Sequence, residues 1–357
     1  MAKQLKKVLL ITLSVVLVTL LFVGCGGSGG TGTDNGGSAT GTDSTASSGG
    51  DTQAAAQAQY RMGMSVKSIN NPFFREMAYG AKQAGDNFNV RVDVVGGQKD
   101  GDVSGQIDQC DTLLQSGIDA LIYTPQNSVG TGTIIDSARS MNIPVITMNT
   151  IATDGTPNCA MYEDDIMIGN TLAENCVADL GGKGRVIILQ GTAGASSSEN
   201  TTKGMTDVFA KYPGIEVVAS MNADYIQDKA QAVMTDLLQT NKNIDAVLSV
   251  NNMMIEGAVL ALQENGYTFG EGGVRCYCRT IDSVVLQYIK DGEVAGAYHG
   301  WAAMQGYQAV VTAIRCIKGQ LVPSDVLQVY PKCWWTKDNV ADIEPVVLAA
   351  AAYDFSS

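Results

Sequence analysis

From Tyr60 onward, short β-rich runs alternate with longer stretches of helical apolar spacing, a pattern typical of helices that cover both faces of a parallel sheet. Strands are predicted at 61–66, 90–95, 120–123, 145–148, 159–161, 185–189, 215–220, 246–250, 274–277 and 294–298. Helices are predicted at 73–88, 103–116, 129–141, 166–180, 200–211, 229–241 and 255–265. The two series predict an α/β fold with two doubly wound, mostly parallel-sheet lobes.

The first residues follow a different pattern. Three lysines precede an apolar run over 8–23, which is shorter than the ~20 residues of a comfortable bilayer span. A glycine and Cys25 stand where cleavage would fall, so residues 1–24 are predicted to be an export signal. Residues 26–58 are almost entirely small or polar and cannot offset their chain entropy by burial. We therefore predict a disordered Gly/Ser-rich tether over 25–59.

Composition narrows the function classes. A chain of 357 residues with 45% hydrophobic content can bury a sizeable core, and its length predicts two globular domains. Its 23 Lys and Arg against 36 Asp and Glu give a net charge of -13. A chain with this charge is poorly suited to a polyanion, so no nucleic-acid partner is predicted.

Seven of the eight cysteines follow Cys25, an odd number that cannot all pair internally. Cys276 and Cys278 are close in sequence, but the chain has one histidine and no second close cysteine pair, so a zinc site is not favoured. Their apolar settings favour small buried side chains, while disulfides stay possible.

No catalytic motif stands out: the chain has no Walker loop, no GxGxxG after a strand, no GxSxG and no HExxH. The Gly-rich segment 191–195 lacks the lysine of a phosphate loop and is interpreted as a strand-to-helix turn. The acidic run Glu163, Asp164 and Asp165 lacks the spaced oxygens of an EF-hand, which favours helix capping over a cation site. The motifs therefore do not favour an enzyme, and they predict no metal or cofactor.

Several segments resemble the type I periplasmic binding proteins, specifically the ribose- and galactose-type solute-binding proteins of ABC importers. They are 70–74 (NNPFF), 115–122 (QSGIDALI), 143–146 (IPVI), 181–184 (GGKG), 189–192 (LQGT), 211–218 (KYPGIEVV) and 290–293 (KDGE). The resemblance implies a monomer whose two lobes, joined by three crossings, close on a ligand. It places the N-terminal lobe at 60–163 and 301–329, and the C-terminal lobe and tail at 164–300 and 330–357. Residues 21–25 (LFVGC) are similar to a bacterial lipobox, which implies lipidation of Cys25 and attachment to the outer face of the cell membrane.

The resemblance also implies ligand contacts. By position these are Asn71, Phe73, Phe74, Asn149, Asp164, Glu199, Tyr225, Asn251 and Trp301. Four positions depart from the family: Asn149 replaces an Asp, Glu199 an Arg, Cys278 or Thr280 a later Asp, and Gly300 a Gln. Because charged side chains grip neighbouring hydroxyls, these changes argue against ordinary ribose or galactose.

The first hypothesis is a lipid-anchored extracellular protein that captures a small polar ligand, a sugar or polyol, and delivers it to an ABC permease. The alternative is a sensory module of the same fold that binds a nucleoside or signal molecule and passes its state to a membrane receptor. Related repressors carry a DNA-binding helix-turn-helix where this chain has the signal and tether, so the resemblance does not imply DNA binding.

Overall fold

The computed structural model describes residues 58–330 and 333–353. The predicted signal peptide, the lipidation site Cys25 and residues 25–57 of the predicted tether lie outside these ranges. In the described part of the chain, no helix combines the length and the apolar character that crossing a membrane requires.

The first sheet carries six strands, all paired in parallel, in the spatial order β11-β5-β4-β3-β1-β2. They are β1 (Tyr60–Ser68), β2 (Val90–Gly97), β3 (Ala120–Tyr123), β4 (Val145–Met148), β5 (Cys159–Tyr162) and β11 (Asp325–Leu327). All residues of β3 and β4 are buried, which explains why these two strands are continuous apolar runs.

The second sheet also carries six strands, in the order β12-β10-β9-β8-β6-β7, and only its edge pair β10–β12 is antiparallel. They are β6 (Lys183–Gln190), β7 (Gly214–Asn222), β8 (Ala246–Ser249), β9 (Arg275–Arg279), β10 (Gly296–Tyr298) and β12 (Trp334–Trp335). The two sheets with their interleaved helices confirm the predicted two-lobed α/β fold.

The described ranges contain ten α-helices, of which the first nine lie between strands and the last follows β12. They are α1 (Pro72–Phe88), α2 (Val103–Gln115), α3 (Gly132–Ser140), α4 (Asp165–Asp179), α5 (Ser196–Phe209), α6 (Gln227–Thr240), α7 (Asn252–Glu264), α8 (Ser283–Asp291), α9 (Ala302–Ile317) and α10 (Glu344–Ala352). Helices α1 and α9 pack against each other on the first sheet, so closely that a Cβ at Gly80 would overlap the backbone of Ala303. The chain thus returns to the first lobe after leaving the second.

The chain passes between the sheets three times: between β5 and α4, between β10 and α9, and between β11 and β12. The lobe boundaries suggested by the resemblance, at 163/164, 300/301 and 329/330, fall within these segments. The assignment of whole lobes from these boundaries stays a prediction.

Element ends differ from the sequence predictions in a few places. Helix α3 begins at Gly132 rather than 129, because the carboxylate of Asp154 accepts hydrogen bonds from the amides of Gly130 and Gly132 and holds the preceding turn. Helix α5 begins at Ser196, four residues before the predicted start. The short strands β11 and β12 were not predicted.

All seven described cysteines are free, five of them buried and two half-buried.

Candidate functional site

One cavity lies between the ends of the two sheets. Its wall is formed by Lys67, Asn71, Phe73, Phe74, Asp100 and Asn149 of the first lobe and by Ser197, Tyr225, Val250, Asn251, Arg279 and Thr280 of the second. Most of these residues follow a strand or begin the next helix, which is where ligands bind in open α/β sheets. The free volume is about 30 Å³, room for roughly two water molecules.

The start of helix α1 forms the aromatic part of the first-lobe wall. The Asn71 side-chain oxygen accepts a hydrogen bond from the Phe73 amide at 3.1 Å, and Pro72 occupies the first helical position, where its missing N–H costs nothing. The rings of Phe73 and Phe74 then meet edge to face, with centroids 5.2 Å apart. Two ring surfaces therefore supply apolar area for the C–H groups of a ligand.

Two charged side chains complete the first-lobe wall. Asp100, in the loop after β2, accepts a 3.1 Å hydrogen bond from Asn71 Nδ2 on its Oδ2, while its Oδ1 is buried without a partner among the described residues. Burial raises the pKa of the Asp100 carboxyl to about 6, although the Lys67 charge and the Asn71 hydrogen bond lower it. Lys67, in β1, is only 2% exposed, and its ammonium lies 5.8 Å from the centroid of the Tyr225 ring.

On the second lobe, Tyr225 lies directly over the Gly-rich turn that follows β6. A Cβ at Gly191 would overlap the Tyr225 ring, so only glycine lets the ring lie there. The Tyr225 hydroxyl is 3.4 Å from the hydroxyl of Ser197, in the first turn of α5. The Gly-rich turn is the predicted strand-to-helix connection, and it also makes room for an aromatic wall of the cavity.

Asn251 follows β8 and caps α7. Its side-chain oxygen accepts a 3.0 Å hydrogen bond from the Met254 amide, and its Nδ2 is buried with no partner among the described residues. The cap fixes the side-chain rotation, so the amide donor has one orientation. The Asn251 Nδ2 is therefore available to a ligand acceptor.

Arg279, at the end of β9, belongs to a buried cluster that also includes Glu163 and Asp165 of the first crossing; we call it the Arg279 cluster. The guanidinium donates to Glu163 Oε2 at 2.8 Å, to Asp165 Oδ1 at 2.7 Å and to the Thr201 hydroxyl at 3.3 Å. Burial lowers the pKa of the guanidinium, but the two carboxylates outweigh this and raise it. A Cβ at Gly300, in the second crossing, would overlap the Glu163 carboxylate, so the cluster links two crossings.

The backbone is strained around the cavity. Asn149, Tyr225 and Thr280 have φ of 63°, 62° and 76°, in the left-handed region that non-glycine residues seldom adopt. For Thr280 the conformation is especially costly because its side chain is β-branched. Such strain concentrates at functional sites, where the surrounding structure maintains it.

Six of the nine predicted ligand contacts meet at this cavity: Asn71, Phe73, Phe74, Asn149, Tyr225 and Asn251. Of the two alternatives for the later family position, Thr280 lies at the cavity and Cys278 is buried in the core of the second lobe. Ligand contact by these side chains stays a prediction.

The other three predicted contacts lie outside the cavity wall. The Asp164 carboxylate caps α4 by accepting from the Met167 amide at 2.9 Å, and the Glu199 carboxylate accepts from the Gly194 amide at 2.9 Å. Both side chains are exposed and stabilise helix starts. Trp301 begins α9, where its ring packs edge to face on Trp335 with centroids 5.9 Å apart. The structure therefore shows contacts within the protein for these three residues, and their ligand contacts stay a prediction.

The sequence analysis did not select Lys67, Asp100, Ser197 or Arg279 as site residues. A lysine inside a strand is normally expected to point into solvent, and a single aspartate in a polar loop carries no signal of its own. Arg279 lies two residues beyond the predicted end of its strand. Glu163 and Asp165 form ion pairs with Arg279 rather than a cation site, and no group of three or more metal-ligand side chains occurs in the described ranges.

Residues 62–321 match the family model of the periplasmic binding protein domain. The chain belongs to this family. Members of this periplasmic binding protein family are binding proteins rather than a class of enzymes. The predicted resemblance is thereby confirmed.

Individual relatives agree with the family match. The xylitol-binding protein of Mycolicibacterium smegmatis is 34% identical over 306 residues, which cover 84% of this chain and 83% of the relative. The ribose import binding protein of Escherichia coli is 29% identical over 272 residues, covering 75% of this chain and 88% of the relative. The crystal structure of a carbohydrate transporter solute-binding protein from Agrobacterium radiobacter in complex with D-arabinose matches with a TM-score of 0.74 at 28% identity, covering 82% of this chain and 100% of that one.

Proposed function

We propose that this chain is the solute-binding component of an ABC importer, and that it captures a sugar or a sugar-like polyol in the cavity between its lobes. The observation that carries the proposal is the convergence of two phenylalanine rings, a tyrosine ring and unpaired buried polar atoms on one cavity. Rings stack on the C–H faces of sugars, while buried amide and carboxylate atoms hydrogen-bond hydroxyls.

The names of the relatives support this ligand class. They include proteins that bind xylitol, import ribose or were crystallised with D-arabinose, all compounds with adjacent hydroxyl groups. The same names favour import over the sensory alternative. Because the Asp and Arg of ordinary sugar binders are replaced at Asn149 and Glu199, we expect a polyol to be preferred over ribose or galactose.

The capture mechanism follows from the two-sided wall. Residues of both lobes line the cavity, so a ligand that they enclose enters when the lobes or their side chains move apart. A ligand that then contacts Phe73 on one lobe and Asn251 on the other favours the closed state, because only that state makes both sets of contacts. The permease would recognise the closed state.

Export and membrane attachment complete the proposal. A cleaved signal over residues 1–24 would leave Cys25 as the lipidated N-terminus, and the tether over 25–59 would let the binding lobes reach the permease. Mass spectrometry of the protein from its native membrane tests this step: a diacylated N-terminal Cys25 is expected, and an unmodified one contradicts it.

The binding function is tested by calorimetric titration of the mature protein, beginning at Cys25, with xylitol, ribitol, D-ribose, D-arabinose, D-allose and nucleosides. Binding of at least one polyol or sugar is expected, and Asn251→Ala should weaken it about tenfold or more, because the variant removes a buried donor. Asn243→Ala, at an exposed position, is the matched control and should bind like the wild type. Binding of nucleosides alone would contradict the proposed ligand class.

A further inference from the structure

The cavity contains one cation whose donors are unused. The Lys67 ammonium is buried and makes no hydrogen bond or ion pair with any residue that the structure describes. The nearby Asp100 Oδ1 is equally unpartnered, and both atoms belong to the first lobe. A buried ammonium and a buried carboxylate oxygen are costly to leave unpaired, so both await a group that donates as well as accepts.

Hydroxyl groups have this property. Each hydroxyl is one donor and an acceptor with two lone pairs, so two neighbouring hydroxyls can donate to Asp100 Oδ1 while accepting from Lys67 Nζ. Hydrogen bonds to charged groups are stronger than those between neutral ones, which makes such a contact a strong determinant of specificity. The Asn251 amide donor, on the opposite lobe, is available to a further hydroxyl.

The charges around the cavity argue against an acidic ligand. Lys67 and Arg279 supply two positive charges, while Asp100, Glu163 and Asp165 supply three negative ones, which leaves one net negative charge. Three of the five Arg279 N–H donors are bonded, to Glu163, Asp165 and the Thr201 hydroxyl. A carboxylate or phosphate would therefore enter a site that already carries an excess of negative charge.

We propose that Lys67 and Asp100 are the specificity-determining pair of this cavity, and that they select neutral ligands with adjacent hydroxyls over the corresponding sugar acids. This inference rests on the proposed binding function and names the residues and ligand chemistry behind it. Related sugar binders carry an Asp and an Arg at the positions of Asn149 and Glu199. In this chain, the Lys67–Asp100 pair supplies charged contacts from a different place in the fold.

The pair also gives binding a pH dependence. Burial lowers the pKa of the Lys67 ammonium to about 8, although the charges of Asp100 and Asp165 raise this pKa. The charge of Arg279 lowers the pKa further. The Tyr225 ring also faces the ammonium. Since the pKa of Asp100 is raised to about 6, both charges coexist between about pH 6 and pH 8. Affinity for a neutral polyol is expected to be highest in this window and to fall on either side.

The test compares the wild type with Lys67→Met and Asp100→Asn by calorimetry, using xylitol and D-ribose against xylonate and ribonate. Lys67→Met should weaken binding of the neutral ligand about 10- to 100-fold and remove the decline of affinity above pH 8. Asp100→Asn should remove the decline below pH 6 and lower the preference for neutral over acidic ligand about tenfold or more. Lys203→Met and Asp207→Asn, which alter an exposed pair on α5, are the matched controls.

The outcomes separate this inference from the proposed function. If the wild type binds xylitol or ribose but both variants keep its affinity, preference and pH profile, the pair is not the determinant while the proposed function stands. If the wild type binds none of the neutral ligands, the proposed function fails first. Tighter binding of xylonate than xylitol by the wild type would overturn the inference directly.

Discussion

Two sets of buried charges lie at the same cavity and use their hydrogen-bonding atoms differently. In the Arg279 cluster, the guanidinium donates to Glu163 and Asp165 at 2.8 and 2.7 Å. In the Lys67–Asp100 pair, the ammonium has no hydrogen-bond partner in the described ranges. The carboxylates of the two sets are alike in one respect, because Asp100 and Glu163 each keep one buried oxygen without a partner there. Burial alone therefore does not distinguish the two sets; their partners do.

The difference separates structural from ligand-directed charge. Arg279 connects the end of β9 with the first crossing, and its partners are carboxylates of the protein itself. Lys67 Nζ and Asp100 Oδ1 have no hydrogen-bond partner among the described residues, and burying such atoms costs folding stability. A natural protein maintains such a cost where function benefits from it.

The largest expected effect comes from breaking the ion pairs of the Arg279 cluster. Arg279→Met leaves Glu163 and Asp165 buried without their cation, and removal of one partner from a buried ion pair costs about 3–5 kcal/mol. Urea denaturation of the ligand-free protein measures this loss. Arg279→Lys should recover only part of it, because an ammonium cannot donate to both carboxylates in the fork geometry of guanidinium. A loss below about 1 kcal/mol for the methionine variant would contradict the structural role.

Replacing a buried carboxyl that has no cation partner should raise the free energy of unfolding rather than lower it. Burial, followed by the charge of Asp282, raises the pKa of Glu256 on α7 to about 9, and its Oε1 has no partner among the described residues. At pH 7 the native state therefore holds a proton that the unfolded state releases, and stability contributed by this proton is lost as pH rises from about 4.5 to 9. Glu256→Gln should add up to about 3 kcal/mol at pH 7.

The measurement for Glu256 is the free energy of unfolding between pH 5 and pH 9. The wild type should lose stability across this range, and the glutamine variant should show a flatter profile. Glu264→Gln, an exposed position near the end of the same helix, is the matched control and should leave the wild-type slope intact. Parallel profiles for wild type and Glu256→Gln would show that this carboxyl is ionised in the native state.

The hydrophobic pattern was sufficient to predict most strands of the two sheets. Strands 120–123 and 145–148 were predicted to the residue because all their side chains are buried, so the apolar run and the strand coincide. The two-residue strand β12 has no pattern long enough to detect. Its place in the sheet depends on pairing with β10, which is far away in sequence.

The site was predictable only where it follows strand ends. Asn71, Asn149 and Asn251 come directly after strands or begin helices, so strand order alone places them at the cavity. Lys67 lies within β1, where sequence spacing cannot tell a buried ammonium from an exposed one. Glu199 lies outside the cavity wall, where its carboxylate accepts a hydrogen bond from the Gly194 amide, a local contact that position in the family pattern does not reveal.

The stability of the Lys67→Met variant, measured without ligand, further tests the comparison between the Lys67–Asp100 pair and the Arg279 cluster. Because burial lowers the pKa of Lys67 to about 8, the charged ammonium costs stability at pH 7, and this cost declines as pH rises from 8 to 10.5. Methionine removes the cost but also removes the positive charge near Asp100, so the expected net gain is about 1 kcal/mol. Thermal unfolding without ligand measures it. A clear loss of stability would mean that Lys67 has a structural role like that of Arg279.

The smallest effect is expected at the exposed ion pair between Lys203 and Asp207, one turn apart on α5. Both side chains are about half exposed, so water solvates each charge almost as well alone as paired, and salt screens what attraction remains. Lys203→Met and Asp207→Asn should each change the free energy of unfolding by less than about 0.5 kcal/mol. A double-mutant cycle at low and high salt measures the coupling energy between Lys203 and Asp207. A coupling energy close to that of Arg279 with Glu163 would mean that burial and partner geometry do not decide how much these ion pairs contribute to stability.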